Sequence, residues 1–291
     1  LNYKEDARFG EETVRRIVEA YRKMRNTWRF ILGNIHDFDP DSEYVPLQDM
    51  LPFDRWIMER TSKIGQRLLK GYQDYEYHIV FHTIYNFFTV DLSSFYLDVL
   101  KDRLYCSGKK SLLRRSAQTA LFEILKTSLV WMAPILPFTT EEAWEAMPGF
   151  SEKRESVHLE LFPSMEKQWQ EPGLYAEWEE LGRIREIVLK RLETAREEKM
   201  IGNSLEAKVK LKTPGEKEYF VRSYETELPS LFIVSDVEIH PYSGDEFEAE
   251  VVKAAGEKCT RCWNFSTHVG QSSEYPGFCK RCEDVVARMR S

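Results

Sequence analysis

Leu112-Leu-Arg-Arg-Ser-Ala-Gln-Thr-Ala-Leu-Phe-Glu-Ile-Leu-Lys-Thr-Ser-Leu-Val-Trp-Met132 is the most regular stretch of the 291-residue chain. Leu113, Ala117, Ala120, Leu121, Ile124, Ser128 and Leu129 recur at the intervals that line up on one face of an α-helix. Pro134 and Pro137 close the run, because proline lacks an amide hydrogen and its ring clashes with the preceding turn. Outward from this helix the same period returns several times. From Glu11 to Ile35 it carries Val14, Ile17, Val18, Tyr21, Met24, Trp28, Ile31 and Leu32, with Gly33-Asn34 as the stop. A second helix opens at Phe53-Asp54-Arg55-Trp56, buries Ile57, Ile64 and Leu68, and ends near Gly71. A third runs from about Asp74 to Phe88, and Ser93 or Ser94 is placed to cap another from Phe95 to Tyr105. On the far side, Thr139-Thr140-Glu141-Glu142 has the capping-box pattern and predicts a short helix through Trp144. Long amphipathic helices with short connections predict a mainly α chain that begins with an antiparallel helical bundle.

Beyond the bundle the pattern changes. Glu152 to Pro172 is polar and irregular, with Val157-His-Leu-Glu-Leu161 its one strand-like piece. Trp178 to Met200 predicts a charged helix with Leu181, Ile184, Val188, Leu192 and Ala195 inside. Leu205, Ala207, Val209 and Leu211 alternate as a strand, and Pro214-Gly215 turns the chain. A helix over Glu216–Leu228 and strands over Leu231–Ile239 and Phe247–Ala254 complete a small α+β unit. The organisation expected is a bundle over 1–165, an α+β junction domain over 166–254 and a cysteine-bearing module over 255–291. Leu1 to Phe9 has neither a cap nor an initiator Met and reads as a cut end.

The cysteines carry the clearest chemistry. Cys259-Thr-Arg-Cys262 and Cys279-Lys-Arg-Cys282 stand sixteen residues apart. Zinc takes four ligands tetrahedrally, and a two-residue gap lets one tight turn aim both sulfurs at a single ion. Four thiolates leave no open position, so one structural Zn2+ is expected, with no catalytic metal. Disulfides fit poorly, because the other cysteine, Cys106, is remote and without a mate; it is expected to pack as a small hydrophobe. A thiol of this kind beside a zinc-type set points to a reducing cytoplasm. His78 and His82 stand four residues apart, yet no third ligand accompanies them.

Charge narrows the function. The chain carries a net charge of −7 with a pI near 5.6, which excludes a generally basic nucleic-acid binder. Between Lys258 and Ser291, however, six basic side chains face three acidic ones. Arg261, Lys280 and Arg281 are the candidate phosphate contacts there. Trp263 is either a base-stacking ring or the small core of the module. On the first helix Arg22, Asn26 and Arg29 share one face, either solvated or in contact with RNA. No apolar run approaches a membrane span. No constellation of catalytic residues stands out.

Five blocks carry a resemblance. Tyr21-Arg-Lys-Met-Arg-Asn-Thr27 with Arg29-Phe30, Phe53-Asp-Arg-Trp-Ile57, and Asp91-Leu-Ser-Ser-Phe-Tyr-Leu-Asp-Val-Leu-Lys-Asp-Arg-Leu-Tyr105 are three. Ala133-Pro-Ile-Leu-Pro-Phe-Thr-Thr-Glu-Glu-Ala-Trp144 is the fourth, and Lys258-Cys-Thr-Arg-Cys-Trp-Asn264 with Tyr275-Pro-Gly-Phe-Cys279 is the fifth. In this order they resemble bacterial isoleucyl-tRNA synthetases over essentially the whole chain. The resemblance implies an anticodon-binding bundle, a junction domain and a zinc domain that grips the anticodon region of tRNA(Ile). The family's H-I-G-H and K-M-S-K-S signatures are not in this sequence, so catalytic and editing domains are expected upstream. The segment is thus expected to recognise tRNA, as a monomer, without charging it. The competing class is a protein-interaction scaffold of helices and a zinc knuckle, favoured by the acidic bundle and opposed by the basic tail.

Overall fold

In a computed structural model, residues 10–165 and 169–290 are described. Leu1 to Phe9 and the boundary drawn at 165/166 lie at or outside those limits. The chain forms two compact units. One holds the described residues up to Asp98 together with Lys109–Tyr175; the other holds Val99–Gly108 and everything from Ala176 onward.

The first unit is the helical bundle. Helix α1 spans Glu11–Ile35, with Glu11 and Glu12 in its first turn, where negative charge suits the helix dipole. Its buried stripe runs Ala20, Met24, Trp28, Ile31, Ile35; Val14, Ile17 and Val18, expected inside, are exposed. A short helix α2 (Pro40–Glu43) is capped by Asp39, whose carboxylate accepts from the Asp41 amide. Helix α3 covers Pro52–Gln73. Helix α4 (Tyr77–Asn86) passes without a break into a π-helix (Phe87–Tyr96) and then α5 (Leu97–Cys106), most of which belongs to the second unit. Ser93 and Ser94 therefore cap nothing: their hydroxyls bond back to the carbonyls of Phe88 and Thr89, five residues earlier, at 2.7 Å each. Helix α6 is Leu112–Met132, and Ser111 is its N-cap, accepting from the Arg114 amide. Helix α7 (Pro137–Glu145) starts at the proline rather than after Thr139, so the expected capping box does not form. Pro137 at the first helical position fixes the start because its missing amide costs nothing there. Glu141 instead accepts from Ser156 and the Val157 amide, where a 3-10 turn (Val157–Leu159) replaces the expected strand.

Cross-links between helices fix their directions. Trp28 Nε1 donates to Ser128 Oγ (3.0 Å) and Gln118 Nε2 to the Asn34 carbonyl (2.8 Å), so α1 and α6 are antiparallel. Asp54 accepts from Tyr96 (2.7 Å), and Arg60 Nε pairs with Asp91 (3.1 Å), so α3 runs against the π-helix. Ser116 donates to Asp54 while Tyr72 donates to the Trp131 carbonyl (2.6 Å), which makes α3 parallel to α6. That is an antiparallel bundle with α6 at its centre, buried on nearly every side.

The second unit begins with most of α8 (Pro172–Glu197), whose inward residues are the expected Leu181, Ile184, Val188, Leu192 and Ala195. Strand β1 (Ala207–Pro214) is central. It pairs in parallel with β2 (Asp236–Tyr242) and antiparallel with β3 (Glu248–Lys253), Val209 facing Val237 on one side and Val251 on the other. Ala207, Val209 and Leu211 point inward, whereas Lys208, Lys210 and Lys212 pair with Asp236, Glu238, Glu250 and Glu248 on the neighbouring strands. Leu205 lies in a 3-10 turn before β1. The helix expected over Glu216–Leu228 is split into α9 (Glu218–Ser223) and α10 (Leu228–Phe232), and β2 starts five residues later than Leu231. Ile233, left-handed at φ 58°, ends α10 and delays the strand. Among the described residues no helix is long and apolar enough to cross a membrane.

Candidate functional site

The cysteine module closes the second unit. Strands β4 (Glu257–Lys258) and β5 (Phe265–Ser266) form a minimal hairpin around the first knuckle. Gly256, at φ 85°, permits this entry, because a Cβ there would sit 2.2 Å from the Ser266 carbonyl carbon. Within the knuckle the Cys259 amide donates to Asn264 O, and the Trp263 amide to Cys259 O, both at 2.9 Å. The second knuckle ends in helix α11 (Lys280–Arg290), which places Cys279 just before the helix and Cys282 in its first turn.

These turns bring Cys259, Cys262, Cys279 and Cys282 together, all buried, with their sulfurs within 4.8 Å of one another. Cys262 and Cys279 are 3.6 Å apart, close to the roughly 3.8 Å edge of a tetrahedron built on Zn–S bonds of about 2.3 Å. The surroundings suit thiolates. The Cys279 amide donates to Cys259 Sγ (3.3 Å), Asn264 Nδ2 to Cys262 Sγ (3.6 Å) and Arg261 Nη1 to Cys282 Sγ (3.6 Å). Hydrogen bonds from Cys279 and Cys282 hold the Cys262 thiol far below its usual range, and the same sharing pushes Cys282 far above. The donor set, the spacing and the burial all fit zinc. No other group of three or more potential ligands occurs among the described residues.

Trp263 is not the core of the module. The residue is 58% exposed, its backbone is left-handed at φ 67°, and Lys258 Nζ lies 5.1 Å from the ring centroid. The core is the sulfur cluster itself, with Val269 and Phe278 packed against it and Tyr275 stacked on Phe278. Trp263, Lys258 and Phe265 line an open recess with Asn203, Leu205 and Glu206, about 200 Å3 counting the solvent at its mouth.

The basic residues divide into two kinds. Lys280 is exposed and pairs along its own helix with Asp284 (3.0 Å) and Glu283 (3.6 Å). Arg261 is half-buried and donates to the Cys106 carbonyl at 2.6 Å. Arg281 makes a two-pronged bond to Asp102, at 2.5 and 2.7 Å. Both arginines, read in the sequence as phosphate contacts, are therefore occupied inside the unit. Their partners, Asp102 and Cys106, were missed because nothing local connects residues so far apart in the chain. Lys258 is different: its position, directly before Cys259, marks it as a knuckle residue. Burial pushes the Cys106 thiol up to about 11, with Asp102's charge adding, so it is not a reactive sulfur. In the bundle, Arg22, Asn26 and Arg29 all lie on the exposed side of α1, and no ion-pair partner contacts the two arginines among the described residues.

Two family models match the chain. Residues 54–211 match the anticodon-binding domain of tRNA ligases, and residues 256–285 match the zinc finger found in FPG and IleRS. The isoleucine–tRNA ligase of Syntrophotalea carbinolica is 45% identical over 98% of the chain. Those of Moorella thermoacetica and Carboxydothermus hydrogenoformans are 41% and 43% identical over 99% and 100% of it. The chain spans about a third of the length of these relatives, 32% in each case. Because the anticodon-binding match covers more than half of the chain, the chain belongs to the anticodon-binding domain family of tRNA ligases.

Proposed function

We propose that this chain is the anticodon-recognising part of an isoleucine–tRNA ligase, a monomeric cytoplasmic enzyme that joins isoleucine to tRNA(Ile) through domains outside this segment. One zinc ion, held by Cys259, Cys262, Cys279 and Cys282, shapes the knuckle and takes no part in chemistry. The observation that carries the reading is Trp263, a large ring held outward by a sulfur cluster with a lysine beside it. Anticodon bases are single-stranded and can be splayed onto such a ring. Lys258 and Lys280 supply charge for the neighbouring phosphates. Arg22, Asn26 and Arg29 form a second, separate phosphate-contacting face on the bundle.

Binding of tRNA(Ile) to this chain over a range of salt concentrations tests the reading. Base stacking is worth about 1–3 kcal/mol per base and is uncharged. Trp263→Ala should lower affinity by about 5- to 150-fold with little change in salt slope. Trp263→Phe should keep most of the affinity, and zinc content should stay the same in both. Lys258→Ala should instead reduce the log–log slope by about 0.7. Wild-type affinity in Trp263→Ala would remove the knuckle from the interface. A wild-type chain that binds no tRNA at all would favour the scaffold reading.

A further inference from the structure

Both knuckles have the form C-x-R-C: Arg261 precedes Cys262, and Arg281 precedes Cys282. The two arginines thus occupy equivalent positions on either side of the sulfur cluster, and both reach the same short segment, the last two turns of α5. Arg261 Nη1 takes the Cys106 carbonyl at 2.6 Å. That carbonyl belongs to the final residue of α5, where the helix has no amide of its own to satisfy it and a cation is favoured. The same Nη1 lies 3.6 Å from Cys282 Sγ, so one guanidinium touches both the metal-site sulfur and the helix end. Arg281 grips Asp102, one turn earlier, in the fork geometry that fixes direction as well as distance. Val99–Gly108 belongs to the same compact unit as the cysteine module, although more than 150 residues separate them in sequence.

We propose that Arg261 and Arg281 are positioning residues, a two-point clamp that fixes the zinc module on the end of α5 and thereby sets how Trp263 is presented to RNA. They do not act as phosphate contacts. The reasoning is geometric. A guanidinium forked onto one carboxylate commits two of its five donors and is held in direction toward α5 rather than toward a ligand. Two anchors separated by a helical turn restrain rotation, which one anchor would not. The inference rests on the tRNA-binding reading for its consequence, but the clamp itself can be observed without RNA.

Asp102→Asn provides the decisive test, because the two roles predict opposite signs. If Arg281 were a phosphate contact, neutralising Asp102 would free it and remove a negative charge, and RNA would bind more tightly. As a clamp, Asp102→Asn should weaken tRNA(Ile) binding by about two- to fivefold, the scale of a half-exposed ion pair. Arg281→Ala should do the same with the salt slope unchanged, whereas Lys280→Ala should lower the slope. The exchanged pair Asp102→Arg with Arg281→Asp should recover much of the loss. Hydrogen exchange on the full chain with zinc bound reads the clamp directly: residues 259–282 should exchange faster in Asp102→Asn and in Arg281→Ala, with zinc content unchanged. Tighter RNA binding by Asp102→Asn, or a lower salt slope in Arg281→Ala, would overturn the proposal. If the wild-type chain binds no tRNA, the functional reading fails and exchange alone decides: unaltered protection in Asp102→Asn would then overturn the clamp.

Discussion

The bundle and the cysteine module solve the same problem with opposite means. The bundle buries Trp28, Trp131, Trp144, Phe87 and Phe88 completely, and so much apolar surface goes with them that charged groups can be carried inside. Asp54 has no exposed surface, yet Tyr96 and Ser116 satisfy its carboxylate. The module has no comparable interior. Its centre is four sulfurs flanked by Val269 and Phe278, and its largest aromatic, Trp263, faces outward. A piece this short cannot bury enough apolar area to offset the entropy of ordering its chain, so cohesion passes to the metal. The difference shows what each region is free to do. With the ion as its core, the module can spend its tryptophan on a surface; the bundle needs its own tryptophans inside.

The sharpest way to break the comparison is to remove the metal. Cys279→Ser should release zinc and unfold residues 256–290, because zinc-finger peptides gain roughly 10–16 kcal/mol on metal binding. Elemental analysis should show the loss, while circular dichroism keeps most of its helical signal from the bundle. A collapse of the whole helical signal would mean that the bundle, too, depends on the ion. The matching change in the bundle is Leu121→Ala, at a position with no exposed surface. It should lower the stability of the bundle by about 2–5 kcal/mol, measured by denaturant unfolding followed through helicity. Zinc stoichiometry should be untouched. Loss of zinc from this variant would dissolve the distinction between the two regions.

The two regions also differ in how far the sequence discloses them. Helix α6 was legible because its apolar period holds over many turns, and the cysteine cluster because ligand type and spacing are local properties. What failed was the reading of short-range signals that have two physical meanings. Ser93 and Ser94 look like caps, but the same hydroxyls can bond back five residues and let a π-helix carry the chain from α4 into α5. Thr139 and Glu142 have capping-box spacing, yet Pro137 sets the start of α7 earlier. On α6 the period located the core face but hid the polar one. Ser116 and Gln118 are buried because other helices bring them partners, which no window along one helix contains. The roles of Arg261 and Arg281 were illegible for the same reason, their partners being distant in sequence.

The smallest expected effect tests whether charge inside the bundle contributes to its stability. Asp37 follows α1 and receives both prongs of Arg114, at 2.6 and 3.0 Å, and Gln118 Nε2 at 2.9 Å. Burial acts to raise its pKa, but hydrogen bonds from Arg114 and Gln118, with the charges of Arg114 and Arg115, outweigh that and bring it down to about 2. An unfolded aspartate titrates near 3.9. The folded value is the lower, so the stabilisation is complete above about pH 4 and is lost as pH falls from there through 2. Asp37→Asn should therefore cost about 1–2 kcal/mol at pH 7, after discounting for the carboxylate's partial exposure. The gap between variant and wild type should close near pH 2. Denaturant unfolding followed by helical circular dichroism at pH 7, 4 and 2.5 measures it. Acid also protonates thiolates and releases zinc, so the comparison must be read from the bundle's transition and not from metal content. A gap of the same size at every pH would assign the loss to packing around Arg114, which is itself buried, and not to the ion pair.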